Sequence, residues 1–169
     1  MRRLAGQGTG VTAPWRNAVN ARPAASYRDD ESVPAFPDDK PLMLFDGLCV
    51  LCSGFARFIA RRDAGGHIRF AACQSPLGTA LMRHYGFDPA DPETNLLIVD
   101  GRALGKLDAY GAIMRLLPAP WPLASLLCWL PQGVGDWLYD RIARNRYAVL
   151  RRRQVCIVPD AGWRARVLE

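Results

Sequence analysis

Histidine and lysine occur only twice each among the 169 residues of this chain, and cysteine only five times. His67 and His84 stand alone, and Cys73, Cys128 and Cys156 are isolated, so the second ligand pair of a structural zinc site is missing. A lone zinc half-site on the single C-x-x-C is the most that metal chemistry retains. An odd, small number of cysteines excludes a disulfide-stapled mini-protein. Ser53 follows the C-x-x-C where a c-type haem site needs histidine. An iron–sulfur cluster would lack its third and fourth ligands in any known spacing. Long apolar runs are also scarce. Leu116 to Gly135 carries no charge, but Pro118, Pro120, Pro122 and Pro131 interrupt it. They leave about nine residues of unbroken helix, well short of the ~20 that span a bilayer. The first 40 residues contain no apolar core, which excludes a secretory signal there.

The net charge of +6 and pI near 9.4 point at first to nucleic acid or an anionic membrane. The distribution narrows that reading. Residues 1–40 carry six basic and five acidic groups, residues 41–140 eight and nine, and residues 141–169 eight and two. The excess therefore belongs to one C-terminal stretch, RIARNRYAVLRRR and the residues after it, while the body nets −1. Its aromatics form no stacking platform, so no nucleic acid partner is expected. The arginines there are expected to form a solvated face, to pair with body carboxylates such as Asp136 or Asp140, or to cluster on an anionic group.

Composition divides the chain. Residues 1–40 hold glycine, proline and an acidic patch without apolar periodicity, and are expected to be a disordered tail. The first 28 of them have five arginines and no acid, a composition shared with organelle transit peptides. Residues 41–117 read as a core. Leu42–Phe45 is a buried strand closed by Asp46-Gly47. Residues 50–62 are a helix with Phe55, Phe58 and Ile59 on one side and Arg57, Arg61 and Arg62 on the other. His67–Ala71 alternates as a second strand, and Ser75-Pro76 starts a helix that Gly86 stops. Leu96–Val99 is a third strand, turned by Asp100-Gly101 into a fourth over 102–106, and Asp108 opens a helix through Leu117. Residues 118–158 are expected to add a short buried helix or apolar interface, then a final helix over 136–150. Residues 159–169 are expected to be a tail. The order β-α-β-α-β-β-α is that of a thioredoxin-like α/β fold.

Asp46-Gly47-Leu48-Cys49-Val50-Leu51-Cys52 carries the chemistry. Cysteines at i and i+3, the first at a helix N-terminus, lie on one face within disulfide reach. The helix dipole and its free N–H groups favour a thiolate there. A thiol of pKa about 8.5 is only ~3% ionised at pH 7, whereas one of about 7 is half ionised. Cys49 is expected to be the exposed nucleophile and Cys52, one turn inward, the resolving thiol. Two buried core cysteines are the inert alternative. Asp46 has two open readings, a cap of the turn or helix and a base that takes the Cys52 proton during resolution. Cys73 and Cys128 read as core, and Cys156 as a thiol near the basic end.

The stretches LMLFDGLCVLCSGFARFIARRD, IRFAACQS, LLIVDGRAL and YDRIARNRY, in that order, resemble the DCC family of predicted thiol–disulfide oxidoreductases, named for an Asp-Cys-Cys motif. The resemblance runs from about Pro41 to Pro159. It implies a thioredoxin-like fold, places Asp46, Cys49 and Cys52 at the motif positions, and implies disulfide reductase or oxidase activity. Thioredoxins carry a cis-proline directly before the third strand, where this chain has Thr94-Asn95. Protein-disulfide reduction is the expected function, with no metal or organic cofactor, a protein or small-molecule disulfide as substrate, and an electron donor to recycle the pair. The expected location is cytoplasmic, where such a pair is mainly reduced. The alternative function is a non-catalytic module that docks on a protein or a membrane surface through residues 116–135.

Overall fold

A computed structural model of the chain describes residues 22–90, 92, 94–129, 133–135, 137, 141 and 163–169. Its core runs β1 Leu42–Phe45, α1 Val50–Arg62, β2 Arg69–Ala72, α2 Pro76–His84, β3 Leu96–Val99, β4 Arg102–Leu104 and α3 Lys106–Leu116. This is the expected order. A fifth strand, β5 Val167–Leu168, completes a mixed sheet ordered β4-β3-β1-β2-β5. β1 runs parallel to β2 and antiparallel to β3.

The apolar runs form strands because both faces of the sheet are covered. Successive side chains alternate across it. Met43, Phe45, Phe70, Leu97 and Val99 meet α1 and α3 through Ala56, Ile59, Ala112 and Ile113. Leu42, Leu44, Ala71, Leu96 and Ile98 meet α2 through Leu77, Leu81 and Met82. The β3–β4 hairpin turns on Asp100 and Gly101, at φ 49° and 74°. Left-handed backbone at both central residues is what a tight two-residue hairpin requires.

Three expectations are corrected. First, residues 22–40 are not a loose tail. A short 3-10 helix, Ser26–Asp29, buries Tyr27, whose hydroxyl donates to Asp38 Oδ2 at 2.9 Å. The buried ring of His84 on α2 bonds Ser26 Oγ at 3.0 Å and Asp30 Oδ2 at 2.6 Å. Arg69 on β2 holds Asp39 and the Pro37 carbonyl. The segment has no apolar period because it is fastened by polar side chains, the buried Tyr27 and scattered apolar contacts from Val33 and Phe36. Residues 1–21 lie outside the described residues.

Second, the end of the chain is not a tail. β5 pairs in parallel with β2, Phe70 opposite Val167 and Ala71 opposite Leu168. Trp163, 1% exposed, packs against Phe45 and Phe70. Arg166 donates to Asp63 Oδ2 at 2.9 Å and to the Ala60 carbonyl at 2.6 Å. Two residues of strand are too short to read as one from alternation.

Third, of the two expectations for the segment after α3, a short buried helix or an apolar interface, the buried helix is corrected. Trp121–Trp129 is a 3-10 helix whose Leu123 and Leu126 are 68% and 56% exposed. Trp121 packs edge-on against Phe58 of α1, with ring centroids 4.7 Å apart. Of the helix expected over 136–150, Trp137 and Arg141 fall among the described residues, both helical. The rest of that helix, the basic run beyond it and Cys156 lie outside them, as does the side chain of Cys128. No helix among the described residues is long and apolar enough to cross a membrane.

Candidate active site

β1 ends at Phe45 and delivers Asp46 to the carboxyl edge of the sheet, where α1 begins four residues later. The intervening turn is organised by Asp46 itself. Its Oδ1 accepts from the Leu48 N–H at 2.9 Å, and its carbonyl accepts from the Cys49 N–H at 3.3 Å. An aspartate bonding the backbone two residues ahead is a common turn device. Cys49 then occupies the N-cap of α1, in extended backbone, with Sγ accepting from the Cys52 N–H at 3.4 Å. Ser53 closes the first turn: its N–H and Oγ–H both donate to the Cys49 carbonyl, at 2.9 and 2.7 Å.

The thiolate of Cys49 thus faces the open N–H groups and positive end of a 13-residue helix. Its pKa is pulled from 9.0 down to about 6, first by the Cys52 side-chain hydrogen bond and further by the Cys52 and Leu51 N–H groups. Burial and the Asp46 charge oppose this and are outweighed. A pKa near 6 makes Cys49 mostly thiolate at neutral pH.

Asp46, Cys49 and Cys52 lie in one turn, but the exposure of the pair differs from the expectation. Cys49 is 0% exposed and Cys52 6%, so Cys49 is not the open member of the pair. The N-cap geometry accounts for this, because it folds Sγ back over the first turn. The Asp46 carboxylate is buried too, and its cap reading is realised at Leu48 N. The outward residue is Leu51, 40% exposed between the two cysteines.

The residue facing Asp46 was not singled out by sequence. Gln74 donates from Nε2 to Asp46 Oδ1 at 2.9 Å and accepts the Gly47 N–H at 3.1 Å on Oε1. The parallel pairing of β1 and β2 aligns Phe45 with Ala72, which sets the residues after the two strands side by side. Gln74 lies within the IRFAACQS stretch, but only the pairing gives it a role. Cys73 is buried among Leu77, Leu81 and the α2 side of the sheet, as expected of a core thiol.

At the same edge, Thr94 precedes β3. Its Oγ1 accepts from the Lys106 N–H at 3.1 Å, which ties the approach to β3 to the start of α3. Among the described residues no group of three or more His, Cys, Asp or Glu side chains is placed to hold a metal ion.

The chain is similar in sequence to known proteins. The model of the DCC1-like thiol-disulfide oxidoreductase family matches residues 43–152. A chloroplastic DCC family protein of Arabidopsis thaliana is 39% identical over 120 residues, covering 70% of each chain. The uncharacterized protein YuxK of Bacillus subtilis is 35% identical over 127 residues, covering 75% of this chain and 93% of its own. No solved structure matches the chain. With the family model spanning well over half of its length, the chain belongs to the DCC1-like thiol-disulfide oxidoreductase family.

Proposed function

We propose that the protein reduces disulfides by thiol–disulfide exchange at Cys49 and Cys52. The observation that carries this reading is the Cys49 sulfur at the N-cap of α1, with its pKa lowered to about 6. The Cys49 thiolate attacks one sulfur of a partner disulfide. That S–S bond breaks, a mixed disulfide forms, and the first partner sulfur leaves as thiolate. Cys52 then gives up its proton and attacks Cys49 Sγ, which expels the second partner sulfur. The partner gains two electrons as a dithiol, and the pair is left as a Cys49–Cys52 disulfide for an external thiol donor to reduce.

Because both sulfurs are covered, attack requires the Gly47–Leu51 turn to yield, so nucleophilicity rests on ionisation rather than on exposure. Asp46 has two roles in this scheme. Its carboxylate holds the turn, and it is the acid–base group proposed to take the Cys52 proton. A thiol-reducing compartment such as the cytoplasm suits a pair that works as a reductant.

A second reading, docking through residues 116–135, draws on the exposed Leu123 and Leu126 and on Val134, 51% exposed. It is compatible with the first and would supply a partner-binding surface.

Titration of the reduced protein against glutathione tests the primary reading. A reversible two-electron transition is expected, abolished in Cys49→Ser. Cys52→Ser is expected to hold the mixed disulfide. Absence of a two-electron transition, or unchanged reductase turnover in Cys49→Ser, refutes it.

A further inference from the structure

The side-chain amide of Gln74 bridges one backbone N–H, that of Gly47, and one charged group, the Asp46 carboxylate. Its orientation is set by its neighbours. The Gly47 N–H can only donate, so it meets Oε1, and the NH2 end is thereby turned toward the Asp46 carboxylate. Asp46 Oδ1 then receives two N–H donors, from Gln74 and from Leu48, both at 2.9 Å. One oxygen bonded from two directions fixes the carboxylate in plane and in rotation.

The platform under Gln74 is rigid. Ser75 caps α2, accepting from the Gly78 N–H at 3.1 Å while its hydroxyl donates to the Ala72 carbonyl at 2.9 Å. Gly78 itself lies so close to the end of β2 that a Cβ there would sit 1.9 Å from the Ala72 oxygen. Only glycine permits this approach, and it clamps α2 onto the end of β2, two residues before Gln74. The backbone of Gln74 is therefore set by β2 on one side and by the α2 cap on the other.

We infer that Gln74 is a positioning residue of the redox site, holding the Asp46 carboxylate and the Gly47 backbone so that the charge of Asp46 acts on the cysteine pair from a fixed place. This rests on the exchange reading above, and it assigns to Gln74 no contact with substrate. Its consequence is electrostatic. The Asp46 charge opposes thiolate formation at Cys49, whereas the Cys52 contacts favour it. Gln74 keeps that opposing charge in place, so that Asp46 tempers the ionisation of Cys49.

The test uses the reduced full chain and site-resolved iodoacetamide alkylation of Cys49 from pH 4.5 to 8. Gln74→Met keeps the side-chain length but removes both hydrogen bonds, and its carboxylate neighbour relaxes toward water. Alkylation below the midpoint is expected to accelerate about two- to threefold, as the thiolate fraction rises. The same substitution in an Asp46→Asn background is expected to change nothing further, because the charge it positions is gone. Gln74→Glu, which places a second carboxylate against the first, is expected to move the rate the other way. It keeps the test informative should Gln74→Met fail to fold. An unchanged profile, a slower reaction in Gln74→Met, or the same acceleration without the Asp46 charge overturns the inference. The glutathione titration of the wild-type protein reports separately on the exchange reading, so the two can fail independently.

Discussion

The turn from Asp46 to Cys52 and the segment from Trp163 to Leu168 are anchored to the same sheet by different kinds of contact. In the turn, Cys49 is held by groups within four residues of it, among them Asp46 O, Cys52 N, Ser53 N and Ser53 Oγ. At the C-terminus, Val167 pairs with Phe70, Trp163 packs against Phe45 and Phe70, and Arg166 reaches Asp63. None of those partners is local. The first region places reactive sulfurs on a helix end, and the second closes the edge of the sheet and its core. The difference predicts that chemistry and stability separate between them.

The largest effect expected is complete loss of function from one sulfur. Cys49→Ser should abolish disulfide-reductase turnover while leaving the cooperative unfolding transition in place, as measured by a thiol-coupled turnover assay and by urea denaturation. The converse substitution is Trp163→Ala. Removing a fully buried tryptophan typically costs about 3–5 kcal/mol, and this one packs against Phe45 of β1 and Phe70 of β2. Urea denaturation should show that loss, while the alkylation midpoint of Cys49 stays near pH 6. A midpoint that moves with Trp163 would erase the separation.

A smaller effect concerns the N-terminal segment. His84→Ala removes a buried ring that bonds Ser26 and Asp30, and should cost about 1–3 kcal/mol with turnover retained. Smaller still is the pH dependence carried by the C-terminal clamp. Burial works against the ionised Asp63, but the His67 and Ile68 N–H groups, the His67 ring and Arg166 outweigh it and hold its pKa below 3.8. A carboxylate with a depressed folded pKa stabilises above its unfolded value, and that stability is lost as pH falls through the folded one. Stability should therefore decline below about pH 4, and Arg166→Ala should flatten that decline in urea titrations run across it.

The same contrast explains how much was legible from sequence. β1, α1 and β3 have the bounds read from sequence because each is marked by local signals. Those signals are an apolar run between turn formers, an apolar face against arginines, and a two-residue hairpin at Asp100-Gly101. The Asp46, Cys49 and Cys52 grouping is equally local. Residues 22–40 and 163–169 carry no such signal. Tyr27 and Trp163 are single aromatics whose burial depends on partners far along the chain, and the ties of Asp38, Asp39 and Asp30 to Arg28, Arg69 and His84 exist only once the fold sets them side by side. Gln74 was missed for the same reason. Its partner is 28 residues away, across a strand pairing. The exposure of Cys49 was misjudged because N-cap position was equated with solvent access, whereas the side chain folds back onto Cys52 N.

If Cys49 is the ionised member of a two-electron couple, the reduction potential must carry its ionisation in its pH dependence. Below the Cys49 pKa, reduction of the disulfide takes up two protons, and the potential should fall by about 59 mV per pH unit. Above it only one proton is taken up, and the slope should ease to about 30 mV per pH unit. A break between these slopes is expected near pH 6. A single slope of two protons through pH 8, or no reversible potential at all, would contradict it.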